Sequence, residues 1–148
     1  QGVSSAASDV YKRQGADIIT IHPETTSNLD NAISKIKSLG KKAGISLNPD
    51  VSLDKVLPVI KTIDLVLIMS VYPGFAGQKF IPDVLEKVKI LREKINKENL
   101  DVEVEIDGGI NIDTAKLAKK AGANVLVAGT AVYSENKVLE NIKLLKNC

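Results

Sequence analysis

The sequence predicts an α/β protein whose parallel sheet forms the later part of a (β/α)8 barrel. From Gly15 onward, short segments rich in β-branched residues alternate with segments of helical spacing, a rhythm typical of βαβ units. Most of the short segments are apolar continuously rather than alternately, as in strands that are covered on both faces. Glycines cluster where several of these strands end, whereas the first strand lacks the glycine-rich turn of an open nucleotide-binding sheet. These observations favour the barrel over an open doubly wound sheet.

Five strands are predicted, at residues 16–21, 43–47, 65–69, 102–106 and 125–128. Helices between them are predicted from three apolar faces, formed by Leu29, Ile33 and Ile36, by Val84, Val88, Leu91 and Ile95, and by Val138, Ile142 and Leu145. Pro82 and Asp83 suit a first helical turn, Asn111 suits an N-cap, and Gly122 suits the left-handed end of a helix. A closed barrel has eight βα units and about 250 residues, so about three units are expected to be absent.

Residues 1–14 do not continue this pattern. Gly15-Ala16-Asp17 resembles Gly122-Ala123-Asn124, which separates a helix from the last strand, and therefore implies a helix before Gly15. Residues 1–14 have no apolar helical face, however. We therefore interpret 1–14 as a non-native or disordered leader and 15–148 as the C-terminal part of a single barrel domain.

Composition excludes several classes of function. The 20 basic and 18 acidic residues leave a net charge of +2, which does not favour binding to nucleic acid or to an anionic membrane. No apolar run approaches the length of a membrane span. With one His and one Cys (Cys148), the chain holds neither a zinc cluster nor an internal disulfide. The polar start lacks a secretory signal, so a cytoplasmic location is expected.

Asp107 is the strongest candidate for a catalytic group. It follows the strand at 102–106, and a carboxylate at that end of a barrel strand faces the barrel mouth, where it acts as a general acid or base or binds a metal ion. A helix cap or a solvated strand end is the alternative. Proton exchange on both faces of a carbon needs a second group, and Glu24 is equally consistent with a loop position. His22 also closes a strand, where a structural hydrogen bond is the favoured role.

Glycine pairs predict a phosphate site near Asp107. Gly108-Gly109 and Gly129-Thr130 follow the fourth and fifth strands, and barrels bind phosphate between the loops after their last two strands. Glycine lets backbone N–H groups approach the phosphate, and the Thr130 hydroxyl adds a donor. The loop Gly74-Phe75-Ala76-Gly77 is a third glycine-rich turn. The alternative is that these glycines only form tight turns.

Five motifs follow one another along the chain. They are Ile-Thr-Ile-His-Pro-Glu at 19–24, Asn-Pro at 48–49, Met-Ser-Val-Tyr-Pro-Gly-Phe-Ala-Gly-Gln-Lys-Phe at 69–80, Glu-Ile-Asp-Gly-Gly-Ile at 105–110 and Val-Ala-Gly-Thr-Ala at 127–131. In this order the chain resembles the ribulose-phosphate 3-epimerases from Gly15 to near its C-terminus. The fold it implies is a partial barrel of the ribulose-phosphate-binding type. The long motif also occurs in allulose-6-phosphate 3-epimerases, which stay an alternative, and it argues against a hexulose-phosphate synthase.

The resemblance implies an isomerase of the pentose phosphate pathway that interconverts D-ribulose 5-phosphate and D-xylulose 5-phosphate. In such enzymes two aspartates move a proton at C3 through an enediolate, which a divalent metal ion stabilises. Asp107 matches the second aspartate, which is also a metal ligand, and zinc, iron, manganese and cobalt are the candidate ions. The remaining matches form the phosphate site: Gly74, Phe75, Ala76 and Gly77 in the loop over the phosphate, with Gly108, Gly109, Gly129 and Thr130.

Two departures from the family pattern affect the expected activity. Ala76 stands where the family usually has Gly. The family's first three strands, which carry the other catalytic aspartate and the other metal ligands, have no counterpart in the sequence. The chain alone is therefore expected to be an inactive epimerase fragment, and a non-catalytic sugar-phosphate-binding fragment or half of a split barrel is the alternative. For the complete enzyme the resemblance implies a ketopentose phosphate substrate and a homo-oligomer.

Overall fold

The computed structural model describes residues 15–74 and 78–148. The predicted leader at 1–14 and the loop residues Phe75, Ala76 and Gly77 lie outside the described residues. Within them, five strands form one parallel sheet whose spatial order equals the order along the chain. The strands are β1 (Ile18–Ile21), β2 (Lys42–Leu47), β3 (Leu65–Met69), β4 (Glu103–Asp107) and β5 (Val125–Val127). All five predicted strands are confirmed, with ends that differ by two residues at most.

The helices are α1 (Leu29–Ser38), α2 (Val84–Lys97), α3 (Ile112–Ala121), α4 (Thr130–Tyr133) and α5 (Val138–Asn147). The apolar face predicted for α2 is buried along its whole length, and Ile33 and Ile36 of α1 are buried in the same way. Residues 48–64 form two 3-10 helices, Leu53–Lys55 and Leu57–Val59, where the βα rhythm predicts an α-helix. Pro58 explains this difference, because proline lacks an N–H and disfavours the helical conformation of the residue before it.

Helix α3 has well-defined ends that the sequence predicts correctly. The Asn111 side chain accepts hydrogen bonds from the amides of Asp113 and Thr114, and the Thr114 hydroxyl accepts one from the Asn111 amide. At the other end Gly122 adopts a φ of +112°, in the left-handed region. A Cβ at Gly122 would lie 2.6 Å from the Arg92 side chain of α2, so close packing also requires glycine here.

The core lies between the sheet and the helices. Seven strand residues on one face of the sheet are fully buried in one cluster with α1 and α2: Ala43, Ile45, Leu47, Val66, Ile68, Val104 and Ile106. The opposite face is less uniform, and on β4 it carries Glu103, Glu105 and Asp107, which are half-buried. This alternation along β4 follows from the period of two in a strand, and it aligns three carboxyl groups on one face.

Among the described residues β1 and β5 each pair with a single neighbour, so they are the two edges of the sheet. No helix in the two described ranges has both the length and the hydrophobicity needed to cross a membrane.

Candidate active site

Asp107 is the last residue of β4, at the carboxyl edge of the sheet. In the parallel register it lies beside Met69 of β3 and Val127 of β5. Its two predecessors on the same face are Glu103 and Glu105. The Asp107 side chain is half-buried and lines the open space at this edge.

Burial shapes the electrostatics of this edge. Partial removal from water raises the pKa of the Asp107 carboxyl above its usual range, because burial disfavours the charged form. Burial also raises the pKa of Glu105, and the negative charges of Asp107 and Glu103 raise it further. A carboxylate with a raised pKa is a stronger base than an exposed aspartate.

The two glycines after Asp107 have conformations that other residues rarely adopt. Gly108 has a φ of +122° and Gly109 a φ of +62°. A Cβ at Gly108 would lie 2.6 Å from the Val71 side chain, and one at Gly109 would lie 2.7 Å from the Phe80 amide nitrogen. The segment after β3 therefore packs directly on this turn, and glycine is required by both φ and space.

A cleft of about 810 Å³ brings the predicted residues together. Its lining includes five of them: Asp107, Gly108, Gly109, Gly129 and Thr130. They converge because the carboxyl ends of parallel strands meet at one edge of the sheet. A Cβ at Gly129 would meet nothing within 4 Å, so the space above this residue is open to a ligand. Gly74, with a φ of +152°, is exposed and does not line the cleft.

Several residues of this edge are not predicted as site residues by the sequence analysis. Lys79, Asn111 and Thr114 line the cleft, and Lys79 is the one cation among the described residues that do so. Ser70 lies behind it, fully buried, with its hydroxyl 2.6 Å from the carbonyl oxygen of Gly108. Ser70 belongs to the motif at 69–80 and directly follows an apolar strand, but neither signal indicates a role for its hydroxyl.

His22 and Glu24 do not join the cleft. His22 follows β1, which is separated from β4 by two strands, and its buried Nδ1 has no hydrogen-bond partner among the described residues. Glu24 is exposed in the short 3-10 helix Pro23–Thr25. In residues 15–74 and 78–148, no three His, Cys, Asp or Glu side chains come together in a way that would hold a metal ion. This part of the chain does not by itself fit a resident metal.

Solved structures share this fold. A structure of KGPDC from Streptococcus mutans superposes with a TM-score of 0.71 at 18% identity, covering 98% of this chain and 66% of that one. The 3-hexulose-6-phosphate synthase of Salmonella typhimurium gives 0.69 at 20% identity, covering 97% of this chain and 67% of that one. Both are enzymes of the (β/α)8 barrel type, so the predicted fold class is confirmed.

Sequence comparison gives the family. Ribulose-phosphate 3-epimerase of Synechocystis sp. is 42% identical over 139 residues, which are 93% of this chain and 60% of the relative. The Bacillus subtilis ribulose-phosphate 3-epimerase is 46% identical over 127 residues, which are 85% of this chain and 58% of the relative. The chain thus spans somewhat more than half the length of these relatives. Residues 3–133 match the sequence profile of the Ribulose-phosphate 3 epimerase family. The chain, with its parallel sheet and its Asp107 cleft, belongs to the ribulose-phosphate 3-epimerase family.

Proposed function

We propose that this chain supplies one part of the active site of a ribulose-phosphate 3-epimerase, an isomerase that interconverts D-ribulose 5-phosphate and D-xylulose 5-phosphate. The observation that carries the proposal is a single cleft that holds both Asp107 and two glycine-bearing turns, in a chain of this family. A ketopentose phosphate offers one group for each part, a C3 proton for the carboxylate and a phosphate for the turns.

In this proposal Asp107 moves the proton at C3. Its partial burial and raised pKa support a role as general base, because a proton bound to carbon is removed more readily by a stronger base. One carboxylate works on one face of a carbon, however, and Asp107 is the one acidic residue lining the cleft in the described part of the chain. The second acid or base would come from residues beyond those ranges.

The phosphate is proposed to lie against the turns after β4 and β5. The backbone at Gly108 and Gly109 lacks side chains that would block a ligand, and the space above Gly129 is open. Thr130 adds a hydroxyl at the same cleft. We include the predicted loop Gly74-Phe75-Ala76-Gly77 in this phosphate site. Backbone N–H groups in such turns bind phosphate oxygens well.

A divalent metal ion, with Asp107 as one ligand, belongs to the proposal only as a requirement of the complete protein. A carboxylate is a suitable ligand for such an ion, and a bound ion would stabilise the negative charge that develops when the C3 proton is removed. Among the described residues, no group of three His, Cys, Asp or Glu side chains forms around Asp107. Homo-oligomerisation and a cytoplasmic location stay predictions from the sequence.

The test compares the parent protein with its Asp107→Asn variant, each extended at Gly15 by the N-terminal βα units of a ribulose-phosphate 3-epimerase relative. Deuterium incorporation at C3 of D-ribulose 5-phosphate in D2O is followed by NMR. We expect exchange by the parent protein and a loss of roughly 10²–10⁴-fold in the variant, the usual size of a general-base contribution.

Asp101→Asn is the matched control, because Asp101 is exposed and lies just before the opposite end of the same strand. Its replacement should leave the exchange rate unchanged. No exchange by the extended parent protein, or full exchange by the Asp107→Asn variant, would contradict the proposed function.

A further inference from the structure

Ser70 is a buried hydroxyl residue that contacts the candidate site from behind. It directly follows β3, and its relative exposure is 0%. Its Oγ lies 2.9 Å from the carbonyl oxygen of Asp107 and 2.6 Å from that of Gly108. Because both neighbours are acceptors, the hydroxyl is the donor and its single proton is shared between them. Ser70 does not line the cleft, so any effect on a ligand passes through Asp107 and Gly108.

The backbone of Ser70 makes two further connections. Its amide donates to the Asp107 carbonyl at 2.7 Å, and its carbonyl accepts from the Ile81 amide at 2.9 Å. Ser70 therefore joins the end of β3, the end of β4 and the return of the glycine-rich loop that begins at Pro73. Val71 and Phe80, from the same segment, pack against Gly108 and Gly109.

The turn that Ser70 holds depends on its contacts for a fixed conformation, and one of these is the Thr114 hydroxyl, which donates to the Gly109 carbonyl. Glycine has the widest range of backbone conformations, so two consecutive glycines give the turn openness for a ligand but little rigidity. The Asp107 carbonyl oxygen also accepts a hydrogen bond from the Ser70 amide. Within the described residues, the Gly108 carbonyl oxygen accepts its hydrogen bond from the Ser70 hydroxyl. The hydroxyl thus fixes the peptide between Gly108 and Gly109, whose N–H belongs to Gly109.

We propose that Ser70 is a positioning residue, whose hydroxyl orients the Asp107-Gly108-Gly109 turn so that its backbone binds the substrate phosphate. This inference rests on the proposed function, because it takes the phosphate to lie against this turn. It assigns the buried hydroxyl to substrate binding through Gly108, beyond its contribution to folding.

The experiment uses the 148-residue chain itself. Inorganic phosphate is titrated into the 15N-labelled chain and into its Ser70→Ala, Ser70→Thr and Ser38→Ala variants, and the amide signals of Gly108, Gly109 and Gly129 are followed. Ser38 is the matched control, because its hydroxyl also donates to a backbone carbonyl, that of Lys35 at 2.8 Å, at the exposed end of α1. Thermal unfolding of each variant identifies a temperature at which all four chains are folded.

We expect phosphate to bind about tenfold more weakly to the Ser70→Ala variant, since the partly buried Gly108 carbonyl loses its donor. The Ser70→Thr variant keeps the hydroxyl and should bind within about twofold of the parent chain, as should the Ser38→Ala variant. Signals far from the turn should match those of the parent chain.

Three results would overturn the inference. They are parent-like phosphate binding by Ser70→Ala, an equal loss in Ser70→Thr and Ser70→Ala, and no phosphate-dependent shift at Gly108 or Gly109 in the parent chain. Either of the first two results would show that the Ser70 hydroxyl does not affect phosphate binding. The third would show that phosphate does not bind at the turn. None of them depends on epimerisation, which is measured separately on the extended protein, so failure of the inference and failure of the proposed function are distinguishable.

Discussion

At the scale of single residues, Asp107, Gly108 and Gly109 are adjacent in the chain and contribute different properties. Asp107 brings a half-buried carboxyl group whose pKa is raised by burial. The two glycines turn the backbone through positive φ values and leave room for Val71 and Phe80 on one side. Charge and open backbone are thereby placed within three residues, which suits a ligand that has both an acidic proton and a phosphate.

Glu105 makes the folded chain sensitive to pH. Burial, then Asp107 and Glu103, raise its pKa, so between the ordinary pKa of about 4.3 and the raised one the folded chain binds more protons than the unfolded chain. Stability is therefore lost as the pH rises through this window. The Glu105→Gln variant should be more stable than the parent chain at pH 7, by up to about 1 kcal/mol because water still reaches the side chain.

The measurement is urea unfolding at neutral and at acidic pH. Below both pKa values the carboxyl group is neutral in either state, so the difference between the parent chain and the variant should disappear. The control is Glu93→Gln, at an exposed position on α2, which should change the free energy of unfolding little at either pH. A variant less stable than the parent chain at pH 7 would contradict this account.

The sequence predicts the candidate site residues better than it predicts the residues that hold them in position. Asp107, Gly108, Gly109, Gly129 and Thr130 were expected at one edge because strand ends in a parallel sheet converge, and one cleft contains them all. Ser70 is part of the motif at 69–80, but the role of its hydroxyl could not be predicted, because its partners are carbonyl groups nearly forty positions away and backbone acceptors cannot be recognised in a sequence.

At the scale of secondary structure, helix α3 illustrates how a local signal fixes a boundary. The Asn111 side chain accepts from the amides of Asp113 and Thr114, both at 3.0 Å. The Asn111→Ala variant should lose about 1 kcal/mol of unfolding free energy, because two helix amides lose their acceptor. Chemical denaturation followed by circular dichroism measures this loss.

Asp83 provides the comparison, since it precedes α2 without a capping hydrogen bond from its side chain. The Asp83→Ala variant should therefore change the unfolding free energy by a smaller amount. Equal losses in the two variants would show that the hydrogen bonds of Asn111 do not determine the stability of the α3 terminus.

The helices also show where the sequence becomes uninformative. Apolar spacing predicts α1, α2 and α5 because the core selects one face of each helix. The connection from β2 to β3 breaks the rhythm at Pro58, and the rhythm alone does not show that break. The Lys119 ammonium of α3 donates to the carbonyls of Leu145, Lys146 and Cys148 at the end of α5. A lysine in a helix gives no sign of such a distant partner.

At the scale of the whole molecule, the described part of the sheet has two edges, and one of its faces is only partly buried. Among the described residues, β1 and β5 each have one hydrogen-bonded neighbour. Large apolar side chains such as Leu139 and Tyr133 are 77% and 72% exposed. Open strand edges and exposed apolar groups promote association, so the chain should self-associate as its concentration rises.

Sedimentation velocity over a range of concentrations tests this expectation. A lysine at the β1 edge should reduce association, because charge on an edge strand opposes pairing, and Thr20 is exposed on β1. The comparison is therefore between Thr20→Lys and Asn96→Lys, which adds the same charge at an exposed position of α2. A monomer at all concentrations, with a melting temperature that does not depend on concentration, would contradict the expected association.

The strand order has a consequence for biosynthesis. Each strand pairs with the one made just before it, as when Ile45 meets Val66 and Glu105 meets Val125. On the ribosome, where the N-terminal part of a chain emerges first, such a sheet can grow in the direction of translation without waiting for a distant partner. Asp107 therefore emerges before Thr130, and it can reach its place beside Met69 before the last of the proposed phosphate-binding turns is available.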